Sequence, residues 1–187
     1  MNTLELAKHK EHLLQEIGDT SNIETYDTSW EPKKHKKIDY DKSPQIYFVR
    51  FSTGDSEDDI NYKVSIHLDK RDTKIKDVGY AWFMNVEFGT ERYSATFRDL
   101  YTDYTDIVNN DKMYRVMATV LKIVRELIDK FKQDGEYIRE IWIDPSKNFE
   151  GDTRRTRLYK AYIQRNMPEG SDLYVADDMS YIKLTLP

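Results

Sequence analysis

The chain has 187 residues, 39% of them hydrophobic and 34% charged, with a formal net charge of −5. That length fits one domain around one core, and 14 Tyr, 7 Phe and 3 Trp supply large apolar area per residue. The acidic balance excludes a global field that would draw the protein to nucleic acid or to an anionic membrane. The lack of cysteine excludes disulfides, thiolate nucleophiles and cysteine-ligated metals, and fits a reducing cytoplasm. No basic region followed by an apolar run opens the sequence, so no secretory signal is read there, and no apolar run of about 18 residues suggests a membrane span. The expected location is the cytoplasm.

Residues 1–18 form the first unit, an amphipathic helix with Leu6, Leu13, Leu14 and Ile17 on one face and Gly18 as its stop. Residues 19–44 read as a polar linker or long loop with Pro32, Pro44 and the basic run Lys33-Lys34-His35-Lys36-Lys37, taken as solvated. The main domain spans 45–187. Ile46, Phe48 and Phe51 mark a strand over 45–53, followed by an acidic turn over 54–59 that lacks EF-hand spacing. Tyr62, Val64, Ile66 and Leu68 alternate along a second strand, with His67 on its polar phase. Residues 78–88 are apolar at most positions and suit a central strand covered on both faces. Gly89-Thr90-Glu91 then reads as a turn into a fourth strand over 92–97. The connections are too short for crossover helices, so the four strands form an antiparallel meander.

Met113, Val116, Met117, Val120, Val124, Leu127, Ile128 and Phe131 repeat at three and four along a helix over 111–131, with Asn109 or Asn110 to cap it and Gly135 just past its end. A strand follows over 137–144, closed by Pro145. A helix then starts at Asp152 or Thr153 and runs to Asn166, stopped by Pro168, before strands over 173–175 and 181–186. A long helix between two strands implies a crossover and a locally parallel pair. The expected class is α/β (α+β), a mixed, largely antiparallel sheet with helices on its faces in the order α-ββββ-α-β-α-ββ.

That order resembles the GNAT N-acetyltransferase superfamily over residues 45–187. Arg157-Leu158-Tyr159-Lys160-Ala161-Tyr162, placed after Asp144-Pro145, resembles the fourth-helix signature of that superfamily. Met113-Tyr114-Arg115-Val116-Met117-Ala118-Thr119-Val120 resembles the third helix of GNAT-like proteins carried by tailed bacteriophages. The resemblance implies an acetyl-CoA site in the turn before the third helix, where active members use glycines to aim backbone N–H groups at a pyrophosphate. Here the turn over 98–111 has no glycine and carries Asp99, Asp103, Asp106 and Asp111 against Arg98. A carboxylate within ~6 Å of a diphosphate costs on the order of 1 kcal/mol even when well screened. The turn therefore reads as a capped structural turn, with Arg98, Asn110 and Lys112 as the residues that would touch acyl-CoA if it binds. The resemblance also makes Tyr159 the general acid of an active member. Glu87, on the long third strand, is the candidate base; packing of Tyr159 and an outward-facing Glu87 are the plainer readings.

No Gly-x-Ser-x-Gly elbow, Walker loop or Gly-x-Gly-x-x-Gly occurs, and His9 and His12 lack a third ligand, so no metal site is expected. Arg154, Arg155, Arg157 and Lys160 form the densest basic patch outside the linker, offset by Glu150, Asp152, Glu169 and Asp172. A solvated face is the plain reading, a protein partner the sharper one, and nucleic acid is disfavoured. Taken together, the residues favour a non-catalytic GNAT-like binding or accessory protein with no cofactor. The resemblance adds that it is phage-encoded and works in the host cytoplasm on a macromolecular partner. The alternatives are an N-acyltransferase using acetyl-CoA through an atypical loop, and a virion or assembly component.

Overall fold

The structure is a computed structural model that describes residues 23–31, 45–54, 59–72, 79–94, 99–103, 113–144, 154–178 and 181–187. Among the described residues eight strands form one mixed sheet: β1 (Ser29–Trp30), β2 (Gln45–Ser52), β3 (Asn61–Asp72), β4 (Tyr80–Ser94), β5 (Asp99–Asp103), β6 (Ile138–Ile143), β7 (Asp172–Val175) and β8 (Ile182–Thr185). Two helices, α1 (Met113–Gln133) and α2 (Arg154–Asn166), follow β5 and β6. The sheet order is β1-β2-β3-β4-β6-β8-β7, with β5 paired to β4 off that path. All pairs are antiparallel except β4 with β6, the parallel pair expected around α1. No helix among the described residues is long and apolar enough to cross a membrane.

The period-2 pattern decides the layers. Val49 and Phe51 of β2, Val64, Ile66 and Leu68 of β3, Trp82, Met84 and Val86 of β4, Ile141 and Ile143 of β6, and Ile182 and Leu184 of β8 are buried on one face. α1 lays Val116, Val120, Ile123, Val124, Leu127 and Phe131 on that face. Each such apolar side chain contributes roughly 1.5–3 kcal/mol on burial. Phe131 meets Trp82 edge-on at 5.3 Å, and Tyr159 of α2 lies 5.4 Å from Phe88. The Arg125 guanidinium donates to the Asn166 carbonyl at 2.9 Å, tying α1 to α2. Both described helices thus sit on the same face, not one on each.

α1 ends in a left-handed turn. Gly135 has φ +74°, its N–H donates to the Lys132 carbonyl and the Glu136 N–H to the Phe131 carbonyl, which satisfies carbonyls that the helix end leaves open. The turn delivers Glu136 to a clamp: its carboxylate accepts from Lys70 Nζ and from Trp82 Nε1, both at 2.9 Å. The Trp82 N–H then bonds the Tyr137 carbonyl at 2.8 Å, which starts β6 beside β4.

Three expectations change. Gly89-Thr90-Glu91 is no turn: β4 runs unbroken to Ser94, because Lys63 pairs with Gly89 and Tyr62 with Thr90 across β3, and ladder bonds on that edge override a glycine's weak strand propensity. The strand that follows is 99–103, not 92–97, and so occupies the first part of the stretch read as a turn before α1. Within the stretch read as linker, Tyr26 is buried, stacked on Phe51 at 5.8 Å with its N–H donating to Thr119 Oγ1 at 3.0 Å, and β1 pairs with β2. The helix expected within 1–18, the pair His9 and His12, and the basic run over 33–37 lie outside the described residues.

Two outcomes are expected. Gly135→Ala forces a side chain into positive φ and lowers stability by about 1 kcal/mol, read as a shift in urea midpoint. The second concerns pH. The hydrogen bond from Lys70 holds the Glu136 carboxyl below its ordinary value of 4.5, with burial opposing and the Trp82 bond assisting. A depressed folded pKa means that the stabilisation is present above that ordinary value and is lost as pH falls through the folded one. Wild type therefore loses stability more steeply than Glu136→Gln below about pH 4.5 in acid-titrated unfolding.

Candidate functional site

The face of the sheet opposite the helices is lined by the other phase of each strand. Cross-strand register places six of its residues in one row: Ile46 of β2, His67 of β3, Asn85 of β4, Trp142 of β6, Lys183 of β8 and Tyr174 of β7. Partners in register project to the same face. At ~4.8 Å per strand the row spans roughly 24 Å. Its two ends are exposed, Ile46 at 44% and Tyr174 at 48%, and the residues between them are half-buried. Residues 78–88 were expected to be covered on both faces. Among the described residues only the Trp82, Met84, Val86 and Phe88 phase is covered by helices, while Phe83, Asn85 and Glu87 lie on the open face.

Aromatic rings and charges alternate on this face. Trp142 stacks on Tyr181 at 4.9 Å, and Tyr181 lies 6.0 Å from Tyr174. Lys183 stands 5.7 Å from the Trp142 ring and 5.9 Å from the Tyr174 ring, and is 3.9 Å from Glu140. The Trp142 indole N–H donates to Glu140 at 3.0 Å. Neighbouring Tyr181 and the Asp177 and Asp178 carboxylates push the Tyr174 hydroxyl above its usual pKa. Nearer β3, Arg71 pairs with Asp69 at 3.0 Å and covers the Phe83 ring at 5.0 Å, Lys63 covers Phe48 at 4.2 Å, and Arg50 pairs with Glu91 at 2.7 Å.

A groove of about 470 Å³ lies in this face, lined by His67, Asp69, Arg71, Phe83, Asn85, Glu87 and Trp142, with Met84 beneath. Asn85 Nδ2 donates to Glu87 at 3.2 Å. Among the described residues Glu87 has no cationic partner, and the His67 imidazole makes no hydrogen bond or ion pair.

The structure separates the residues read as catalytic. Glu87 is on the open face, half-buried in the groove. Tyr159 is 4% exposed on the helix face, packed on Phe88. The β4–β6 ladder stops at Val86 and Ile143, just short of both. Thr90 pairs with Tyr62 of β3 and with Asp103 of β5, so β5 lies on the β6-side edge of β4 and fills it from Thr90 to Ser94. Among the described residues, the stretch 87–89 is left without a strand on that edge. Arg98, Asn110 and Lys112, the residues read as able to touch acyl-CoA, lie outside the described residues.

Of the basic patch, Arg157 and Lys160 are exposed and line a small cavity of about 240 Å³ with Thr156, Val175, Ala176 and Asp177. For Arg154 and Arg155 the backbone alone is described. Asp177 lines the same cavity and offsets the two cations, and the cavity's described apolar lining, Val175 and Ala176, is not exposed. No group of three or more His, Asp or Glu placed to hold a metal ion occurs among the described residues. The open face escaped the sequence reading because its row takes one residue from each of six strands. The available signal was the aromatic residues on otherwise polar phases: Phe83, Trp142 and Tyr174.

Comparison with protein-family models, with curated proteins and with solved structures finds no match to this chain.

Proposed function

We propose that the chain is a non-catalytic binding protein with a GNAT-like order of elements, phage-encoded, that recognises a protein partner through the open face of its sheet. The observation that carries this reading is the row from Ile46 to Tyr174, exposed and apolar at both ends with an indole near its centre. Interfaces enrich Trp, Tyr, Phe and Arg over the rest of a surface, and apolar anchors surrounded by polar residues carry much of the binding energy. The acidic chain and the offset cations of α2 speak against nucleic acid.

Support for the GNAT-like part comes from the β2–β3–β4 meander, the crossover through α1 to a strand parallel to β4, and a final hairpin with β8 beside β6. β5 is the departure. It occupies the edge of β4 from Thr90 to Ser94.

An N-acyltransferase is the second reading, favoured by the position of Tyr159 against Phe88, one residue from Glu87 and just past the β4–β6 ladder. The parts described do not fit acetyl-CoA. Tyr159 is buried, Glu87 faces away from it, and β5 takes the edge of β4. No transfer step is derived from them. A virion or assembly component would use the same face, with a structural protein as the partner.

The test has two arms on the full chain. Acetyl-CoA and free CoA at millimolar concentration are expected to leave Tm unchanged, and a saturable rise would overturn the reading, since a ligand that binds only the folded state must raise Tm. A tagged chain is expected to retain a partner that the Ile46→Ser/Tyr174→Ser double variant loses while keeping its Tm. Capture that is identical for both chains removes the open face from the function. Tyr159→Phe is expected to leave capture unchanged.

A further inference from the structure

The groove on the open face has a specific chemistry. Among the described lining residues the one cation, Arg71, is bound to Asp69, and Lys183 beside Trp142 lies 3.9 Å from Glu140. Glu87 therefore carries the one uncompensated charge among the described lining residues, and among the described residues its carboxylate accepts from the neutral amide of Asn85 alone. A half-buried carboxylate in that state gains from a cationic donor more than an exposed one does, because the surrounding protein screens it less than water. Beside it stand the flat Trp142 indole and the Phe83 ring, and Arg71 over Phe83 shows that a guanidinium already lies on such a ring on this face. The groove volume of about 470 Å³ falls within the range of ligand pockets, roughly 300–1,000 Å³.

We propose that this groove receives an arginine side chain of the protein partner, its guanidinium donating to Glu87 and Asn85 Oδ1 while its plane lies along Trp142. The proposal rests on the partner-binding reading and names the chemistry of that partner. A guanidinium suits the site better than an ammonium. It is planar, donates in a fork that matches a carboxylate, and stacks on aromatic rings. The chain's own segments over 1–22 and 32–44 contain lysine and histidine but no arginine, so an arginine requirement also separates a partner from those two segments.

The test uses the 15N-labelled full chain and the acetylated, amidated peptide Ser-Val-Arg-Val-Ser, with lysine and citrulline versions as controls. The arginine peptide is expected to shift the Trp142 indole N–H and the Asn85 side-chain amide. Citrulline, which keeps the shape and loses the charge, is expected to bind about tenfold more weakly, and so is the arginine peptide on Glu87→Gln, a loss of about 1.4 kcal/mol. Equal binding of the citrulline peptide, an unchanged affinity on Glu87→Gln, or absence of shifts at millimolar peptide each overturns the proposal. Capture by the Ile46→Ser/Tyr174→Ser variant separates the two claims. If that variant loses the partner while Glu87→Gln keeps it, the open face stands and the arginine site falls. If both variants retain the captured protein, the open-face reading and the arginine site both fall, whatever the peptide does.

Discussion

β4 has to satisfy two faces and two edges at once, and the register of this one strand sets the rest of the molecule. Its even-numbered side chains from Trp82 to Phe88 build the floor under α1 and α2, and its odd ones, Phe83, Asn85 and Glu87, build the groove. Side chains alternate strictly along a strand, so a slip of one residue would exchange core and groove. The irregularity between Trp82 and Phe83 opposite β6 keeps both phases aligned where the strand passes from the Glu136 clamp into the parallel ladder. On one edge β4 accepts β3 over eleven paired positions; on the other it takes β6 and then β5.

The proposed recognition role rests on this division. An acyltransferase needs its acid and its base to reach one acceptor. Here Tyr159 lies among core rings under the helices, and Glu87 looks out from the opposite face. A face that carries Trp142, Tyr181 and Tyr174 among paired charges is costly to leave bare in evolution unless something uses it, since exposed contiguous apolar area invites unspecific association. The ion pairs around the rings limit that hazard and, among the described residues, leave Glu87 as the point where charge complementarity is missing.

The legible parts of the sequence were those governed by local periodicity. α1 was visible from its three-and-four spacing and ended where Gly135 demanded, and the β2–β3–β4 hairpins followed from short polar turns between alternating runs. Gly89 misled because a glycine followed by Thr-Glu-Arg has the composition of a turn, whereas the ladder with β3 decides its conformation. The apolar density of β4 suggested a doubly covered strand, yet Phe83 belongs to the open face and is covered by the Arg71 side chain, not by a helix. The groove was out of reach from the sequence for a different reason. It depends on which residues of β3, β4 and β6 stand opposite one another, and register over such distances is a property of the assembled sheet.

The most direct measurement is hydroxyl-radical footprinting of the isolated full chain, read by mass spectrometry at single residues. The account predicts fast oxidation of Tyr174, intermediate oxidation of Trp142 and Phe83, and strong protection of Trp82 and Tyr162 in the core. Protection of Tyr174 and Trp142 equal to that of Trp82 would contradict it, because the face assigned to a partner would then be covered by the chain itself.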